Sequence, residues 1–147
     1  MDVRPEKKVV EELGMKKGVV INQPVSELIA GLGHMDEIVI ADAELPIPPG
    51  VRRIDLALTK GIPSFQDTLS VVLSEMCVER AVVAHEMADI SPAVYELVVQ
   101  SLARIEVAQL SYVDFKERTK VARAVIRTGE FTPYANIILI SGVWGFG

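Results

Sequence analysis

The chain has 147 residues, half of them hydrophobic and only 5% aromatic, with 15 basic against 20 acidic side chains for a formal charge of −5. That length suits one domain, whose core Val, Ile, Leu and Ala must build. The acidic balance, with no Lys/Arg stripe carrying interleaved aromatics, argues against nucleic acid as a partner. No apolar run approaches the roughly eighteen residues of a membrane span.

The mean hydropathy of +0.32 is high for a lone monomer, so copies of the same chain are expected to cover part of the apolar surface. The single cysteine, Cys77, cannot form an internal disulfide, which fits a reducing cytoplasm. The opening MDVRPEKKVVEELG is too charged for a secretory signal. Residues 1–14 are therefore read as a charged N-terminal extension, and 15–147 as a single domain.

From Met15 the pattern becomes regular. GVVIN (18–22) reads as a short strand, and Pro24 opens a helix with apolar Val25, Leu28, Ile29 and Leu32 on one face. Gly33 is expected to end that helix in the left-handed conformation. EIVIA (37–41) is a continuous apolar run typical of a strand covered on both faces, and LPIPPG (45–50) is a proline-rich loop. IDLAL (54–58) alternates like a strand. Ser64 with Asp67 resembles a capping box before a helix carrying Phe65, Leu69, Val72, Leu73 and Met76. AVVA (81–84) is a further buried strand, and Ser91 and Pro92 form an N-cap and N1 pair before a helix. A short strand near 107–112 leads to a second capping-box pattern at Asp114 and Glu117. AVI (124–126) and IILI (137–140) complete the strands.

Strands alternating with helices predict a three-layer α/β/α sandwich around a mixed, mostly parallel sheet. The link from about 128 to 136 is too short for a helical crossover, so the last two strands are expected to run antiparallel.

Two glycine patterns carry no phosphate chemistry. GLGHMD (31–36) follows a helix where a phosphate-binding turn must follow a strand, and GVWGFG (142–147) has no helix after it. No Walker motif, HExxH or Cys/His metal spacing appears, so a metal cofactor is not expected. The chemistry-capable residues cluster instead in GLGHMDEIVIADAELPIP (31–48). His34 lies just past the helix end and Asp42 at the far end of a buried strand. If the strand runs back beside the helix end, the two meet at the sheet rim and can move protons near neutral pH. Asp36 is expected to hold the turn around His34. His85, in AVVAHEM, is read as a surface-loop residue, and Cys77 as core. Tyr134 and Asn136 flank a loop-to-strand junction, where an asparagine amide can both donate to and accept from a polyol hydroxyl.

Four stretches carry a family resemblance: MKKGVVIN from Met15, LGHMDEIVIADAELPIP around His34 and Asp42, RIDLALTKGIPSF from Arg53, and AVIRTGEFTPYANIILISGV from Ala124. Together they resemble the D-ribose pyranase and fucose mutarotase family, closest to its ribose branch. The resemblance implies a cofactor-free isomerase that opens and recloses the ring of free D-ribose, exchanging pyranose and furanose. It implies His34 as general acid/base, Asp42 as a sugar ligand, and Tyr134, Ala135 and Asn136 as the stretch that holds the sugar. It further implies a ring-shaped homo-oligomer, a decamer, with sites near subunit contacts. Tyr112 departs from the pattern, standing where ribose pyranases can carry a sugar-contacting histidine; a tyrosine there can still bind a hydroxyl. Glu44 adds a charge beside Asp42 where a small residue is often seen. The alternatives are a mutarotase for another sugar such as fucose, and a sugar-binding regulatory subunit without turnover.

Overall fold

In the computed structural model, residues 17–144 are described; the 1–14 extension and Phe146 lie outside them. The elements in chain order are α1 (Gln23–Ala30), β1 (Glu37–Ala41), β2 (Arg52–Asp55), α2 (Phe65–Leu73), β3 (Val78–Ala84), α3 (His85–Ile90), α4 (Pro92–Ser101), β4 (Glu106–Leu110), α5 (Tyr112–Arg118), β5 (Ala124–Arg127) and β6 (Ile137–Ser141). A 3₁₀ turn, Thr119–Val121, follows α5.

The strands form one six-stranded sheet in the order β2-β5-β1-β6-β3-β4. Composition explains who sits where. EIVIA, AVIR and IILIS are continuous apolar runs, and they take central places with both faces covered. RRID and EVAQL carry polar residues and form the two edges, where exposed backbone must be shielded from further pairing. β1 runs parallel to β5 and antiparallel to β6, and β6 is antiparallel to β3 as well. Thus β6 alone runs against the other five strands, as the short 128–136 link requires.

The two-residue period of the strands sorts their side chains to two cores. Ile38, Ile40, Ile126, Leu139 and Val83 pack against α1, α2 and α4 through Val25, Leu28, Phe65, Leu69 and Val98. Val39, Val125, Ile138, Ile140 and Val82 face the other way, onto Phe115 of α5 and Leu45. Helices therefore cover both faces, giving the expected three-layer sandwich with a mixed, mostly parallel sheet. Phe115 is fully buried, and truncating such a ring to alanine typically costs about 3–5 kcal/mol.

Several local expectations change. GVVIN does not join the sheet: Val20 is buried and its N–H is bonded by the Glu75 carboxylate, while Val19 and Ile21 remain exposed and Asn22 caps α1. Its alternation is real, but it pairs with no strand among the described residues. Helix α1 stops at Ala30 with Gly31 as its C-cap at φ −91°, so Gly33 does not end it; the left-handed residue is Met35, at φ 77°. The strand read at 54–58 is shifted to Arg52–Asp55, and Leu58 is exposed. α5 begins at Tyr112, because Ser111 accepts the Asp114 N–H and is the true cap. Ser64 caps α2 as its spacing predicts, whereas the Ser91 hydroxyl caps nothing and donates instead to the carbonyl of Pro133. Helix α3, headed by His85, was not expected.

Candidate active site

Asp42 follows the last residue of β1, so it sits where the parallel strands end and α/β sheets gather ligands. Its carboxylate is buried and densely bonded. One oxygen, Oδ1, accepts the N–H groups of Glu44 and Leu45 at 3.0 and 2.8 Å. The other, Oδ2, accepts from Asn136 Nδ2 at 3.3 Å, and Asn136 Oδ1 in turn accepts the Asp42 N–H at 2.7 Å. This reciprocal pair fixes both side chains. Burial raises the Asp42 pKa above its ordinary value, against the lowering effect of those hydrogen bonds, with the Glu44 charge adding a smaller push upward.

Asn136 reaches this place because β6 runs against its neighbours and starts where β1 stops. Before it, Tyr134 adopts φ 63°, a left-handed conformation unusual for a residue with a side chain. That kink is held from outside by the Ser91–Pro133 bond, at 2.6 Å. The Tyr134 ring meets Tyr112 edge to face at a centroid distance of 5.0 Å. Lys116, one turn along α5, lies over the Tyr112 ring at 4.7 Å. Burial raises the Tyr112 pKa, and the nearby Asp42 and Tyr134 raise it further, so the phenol stays neutral and can both donate and accept. Glu86 of α3 accepts the Tyr112 N–H at 3.0 Å and fixes where α5 starts. Asp42, Tyr112, Tyr134, Ala135 and Asn136 are thus brought together, a rim of hydroxyl, amide and carboxylate groups suited to a polyol.

His34 lies elsewhere. It precedes β1, whereas Asp42 follows it, and five residues of strand span roughly 16 Å. The expected meeting of His34 and Asp42 within one chain does not occur, because a straight strand separates them. The partner of His34 is Glu79 of β3, with Nε2 to Oε1 at 2.9 Å. The turn around His34 is firm: Asp36 Oδ2 accepts the Gly33 N–H at 2.7 Å and Arg123 Nη1 at 2.6 Å, which is the part expected of Asp36. Beside it, Arg118 makes two bonds to the Glu37 carboxylate, at 3.0 and 2.7 Å. Glu79 and Glu86 gave no sequence signal, and Ser91 stood out only as a helix cap, since each acts through a contact distant in the chain. Among the described residues, no group of three His, Cys, Asp or Glu side chains gathers to hold a metal, and no helix is long and apolar enough to cross a membrane.

The fold and rim define an open α/β protein with a small polar site at the strand ends. The model of the RbsD / FucU transport protein family matches residues 15–144, and the chain belongs to that family. It is 55% identical over 129 residues to the D-ribose pyranase of Coprothermobacter proteolyticus, covering 88% of this chain and 98% of that one. It is 50% identical over 137 residues to the D-ribose pyranase of Vibrio parahaemolyticus, covering 88% and 99%. Among solved structures, Bacillus subtilis RbsD complexed with D-ribose superposes with a TM-score of 0.86 at 48% identity, over 88% of this chain and 98% of that one. The fucose mutarotase of Streptococcus pneumoniae, in complex with L-fucose, gives 0.72 at 27% identity, over 88% and 99%.

Proposed function

We propose that the chain is a D-ribose pyranase, an isomerase that interconverts the pyranose and furanose forms of free D-ribose without a cofactor. The observation that carries this reading is the buried Asp42–Asn136 pair beside Tyr112 and Tyr134, in a chain 55% identical to a D-ribose pyranase. Ring opening removes the proton from the anomeric hydroxyl, breaks the bond between C1 and the ring oxygen, and protonates that oxygen. Closure through the 4-hydroxyl reverses the transfers, so atoms and charge balance with no redox partner. His34 is the general acid/base. Asp42, Tyr112, Tyr134, Ala135 and Asn136 bind and orient the sugar. Positioned proton transfer contributes about 10²–10⁴-fold, enough for a reaction that already proceeds slowly in water.

Because His34 and Asp42 sit at opposite ends of β1, the reading requires His34 of one copy to face the Asp42 rim of another. A ring-shaped homo-oligomer, decameric by family resemblance, provides this. Exposed Val19, Ile21, Leu58, Ile62 and Trp144 supply apolar surface for such contacts. The domain is assigned to residues 15–147 with 1–14 as an extension, and the lone Cys77 supports a cytoplasmic setting.

The test is NMR saturation transfer between pyranose and furanose anomeric signals of D-ribose, with wild type and His34→Ala. Acceleration by wild type and its loss in the variant are expected. No acceleration on ribose would sink the pyranase reading. Tyr112, at the position of a sugar-contacting histidine in ribose pyranases, keeps a second reading open: exchange on L-fucose instead would make the chain a mutarotase for that sugar. Binding without exchange on either would make it a sugar-binding subunit.

A further inference from the structure

His34 and Glu79 are brought together by two backbone irregularities that meet at the end of β6. The first is a β-bulge. The pairing of β3 with β6 runs in register from Val82↔Ile138 to Arg80↔Ile140, then jumps to Val78↔Ser141, which leaves Glu79 as the extra, unpaired residue. Bulges re-aim a side chain that a regular ladder would point elsewhere. The ladder closes again beyond it, where Gly142 donates its N–H to the Cys77 carbonyl at 2.8 Å. A Cβ at Gly142 would lie 3.2 Å from the Glu79 Cβ, so the glycine leaves room for the glutamate stem.

The second irregularity is Met35, left-handed at φ 77°. Its N–H bonds the Ser141 carbonyl at 2.9 Å, and the Ser141 N–H bonds the Asp36 carbonyl at 2.8 Å. The His34 turn is therefore laced to the same residue, Ser141, that faces the bulge. Stability does not account for the arrangement. The two side chains are 52% and 36% exposed, and exposed pairs of this kind contribute little to folding.

We propose that Glu79 is the positioning residue of His34. Its carboxylate accepts from Nε2–H, fixes the orientation of the ring and holds the neutral imidazole in one tautomer. Nδ1 is then the atom with the free lone pair, turned away from Glu79 and presented for proton transfer. The inference rests on the reading of His34 as the general acid/base, and Glu79 acts through His34 alone.

The chain has two histidines, so ring ¹⁵N spectra of labelled protein, with His34→Ala as the assignment control, report the tautomer of His34 directly. In wild type the neutral ring is expected as Nε2–H alone. In Glu79→Gln, whose amide can donate as well as accept, the two tautomers should mix. The same variant should lower kcat for ribose ring exchange by at least about tenfold, within the 10²–10⁴-fold that proton transfer supplies. KM should stay within about twofold, as for a group acting only in the chemical step. Glu79→Asp, which keeps the acceptor, should recover part of the loss. An Nδ1–H ring in wild type would overturn the proposal. So would an unchanged kcat in Glu79→Gln while His34→Ala is inactive. Full exchange in His34→Ala would instead remove the reading of His34 on which the proposal stands.

Discussion

The two ends of β1 are built in opposite ways. At its carboxyl end, Asp42 and Asn136 are buried and locked by reciprocal hydrogen bonds. At its amino end, His34 stands half-exposed on a turn tied down by Asp36, Arg123 and Glu79. A binding rim gains from burial, because groups fixed in the core do not have to be ordered again for each sugar. On the proposed reading, an imidazole that moves protons at another copy's rim has to stand on the surface. A site composed of both ends would draw rigidity from the core at one and reach from the surface at the other.

The largest effect is expected from mixing inactive chains. His34→Ala alone should lose about 10²–10⁴-fold in exchange rate, and Asp42→Ala should lose sugar binding. If each site takes its histidine and its aspartate from different copies, refolding the two variants together should restore about a quarter of the sites by random pairing in a symmetric ring. No recovery in the saturation-transfer assay would contradict the shared arrangement.

Asn136→Ala attacks the locked end. It leaves the Asp42 N–H and carboxylate short of partners in a buried place, and should cost about 1–3 kcal/mol in urea unfolding while weakening ribose binding. His34→Ala should leave the urea midpoint close to wild type, since the side chain is exposed. Equal losses in the two variants would erase the distinction between the ends.

The smallest effect is a pH slope. The folded-state pKa of Asp42 is raised above its ordinary 3.8, chiefly by burial. Its contribution to stability is therefore fully present below that ordinary value and is lost as pH rises through the folded value. Asp42→Asn has no such slope, so its stability relative to wild type should improve on going from acid to neutral pH. A difference that stays constant across that range would count against a raised pKa. Glu130 runs the other way. Its pKa is lowered despite some burial by hydrogen bonds with Thr132 and the Phe65 N–H, so its contribution is present above its ordinary value and lost on acidification.

What the sequence reveals and what it hides follow one rule. The central strands are legible because EIVIA, AVIR and IILI are continuous apolar runs, and the reversal of β6 follows from the shortness of the link before it. The capping serine of α2 is legible because it acts three residues away. By contrast, the contact of His34 with Glu79 and that of Ser91 with Pro133 join distant parts of the chain, and no local spacing encodes them. GVVIN misleads because alternation describes a side-chain pattern and does not supply a pairing partner. His34 and Asp42 look adjacent on paper, but an extended strand turns closeness in sequence into distance in space. Tyr134 and Asn136 stand out as a junction, whereas the left-handed turn that sets Tyr134 against Tyr112 leaves no trace in composition.

The solitary reversed strand ties these two ends into one mechanical part. β6 begins beside Asn136, the partner of Asp42, and finishes at Ser141, to which the histidine turn is laced. A slip of one residue along β6 would turn its apolar side chains to the wrong faces of a fully enclosed strand. It would also drag Asn136 off Asp42 and Ser141 off Met35 in the same movement. The chain therefore cannot misalign Asn136 and keep the His34 turn in place: a molecule with β6 out of register loses both ends of β1 together.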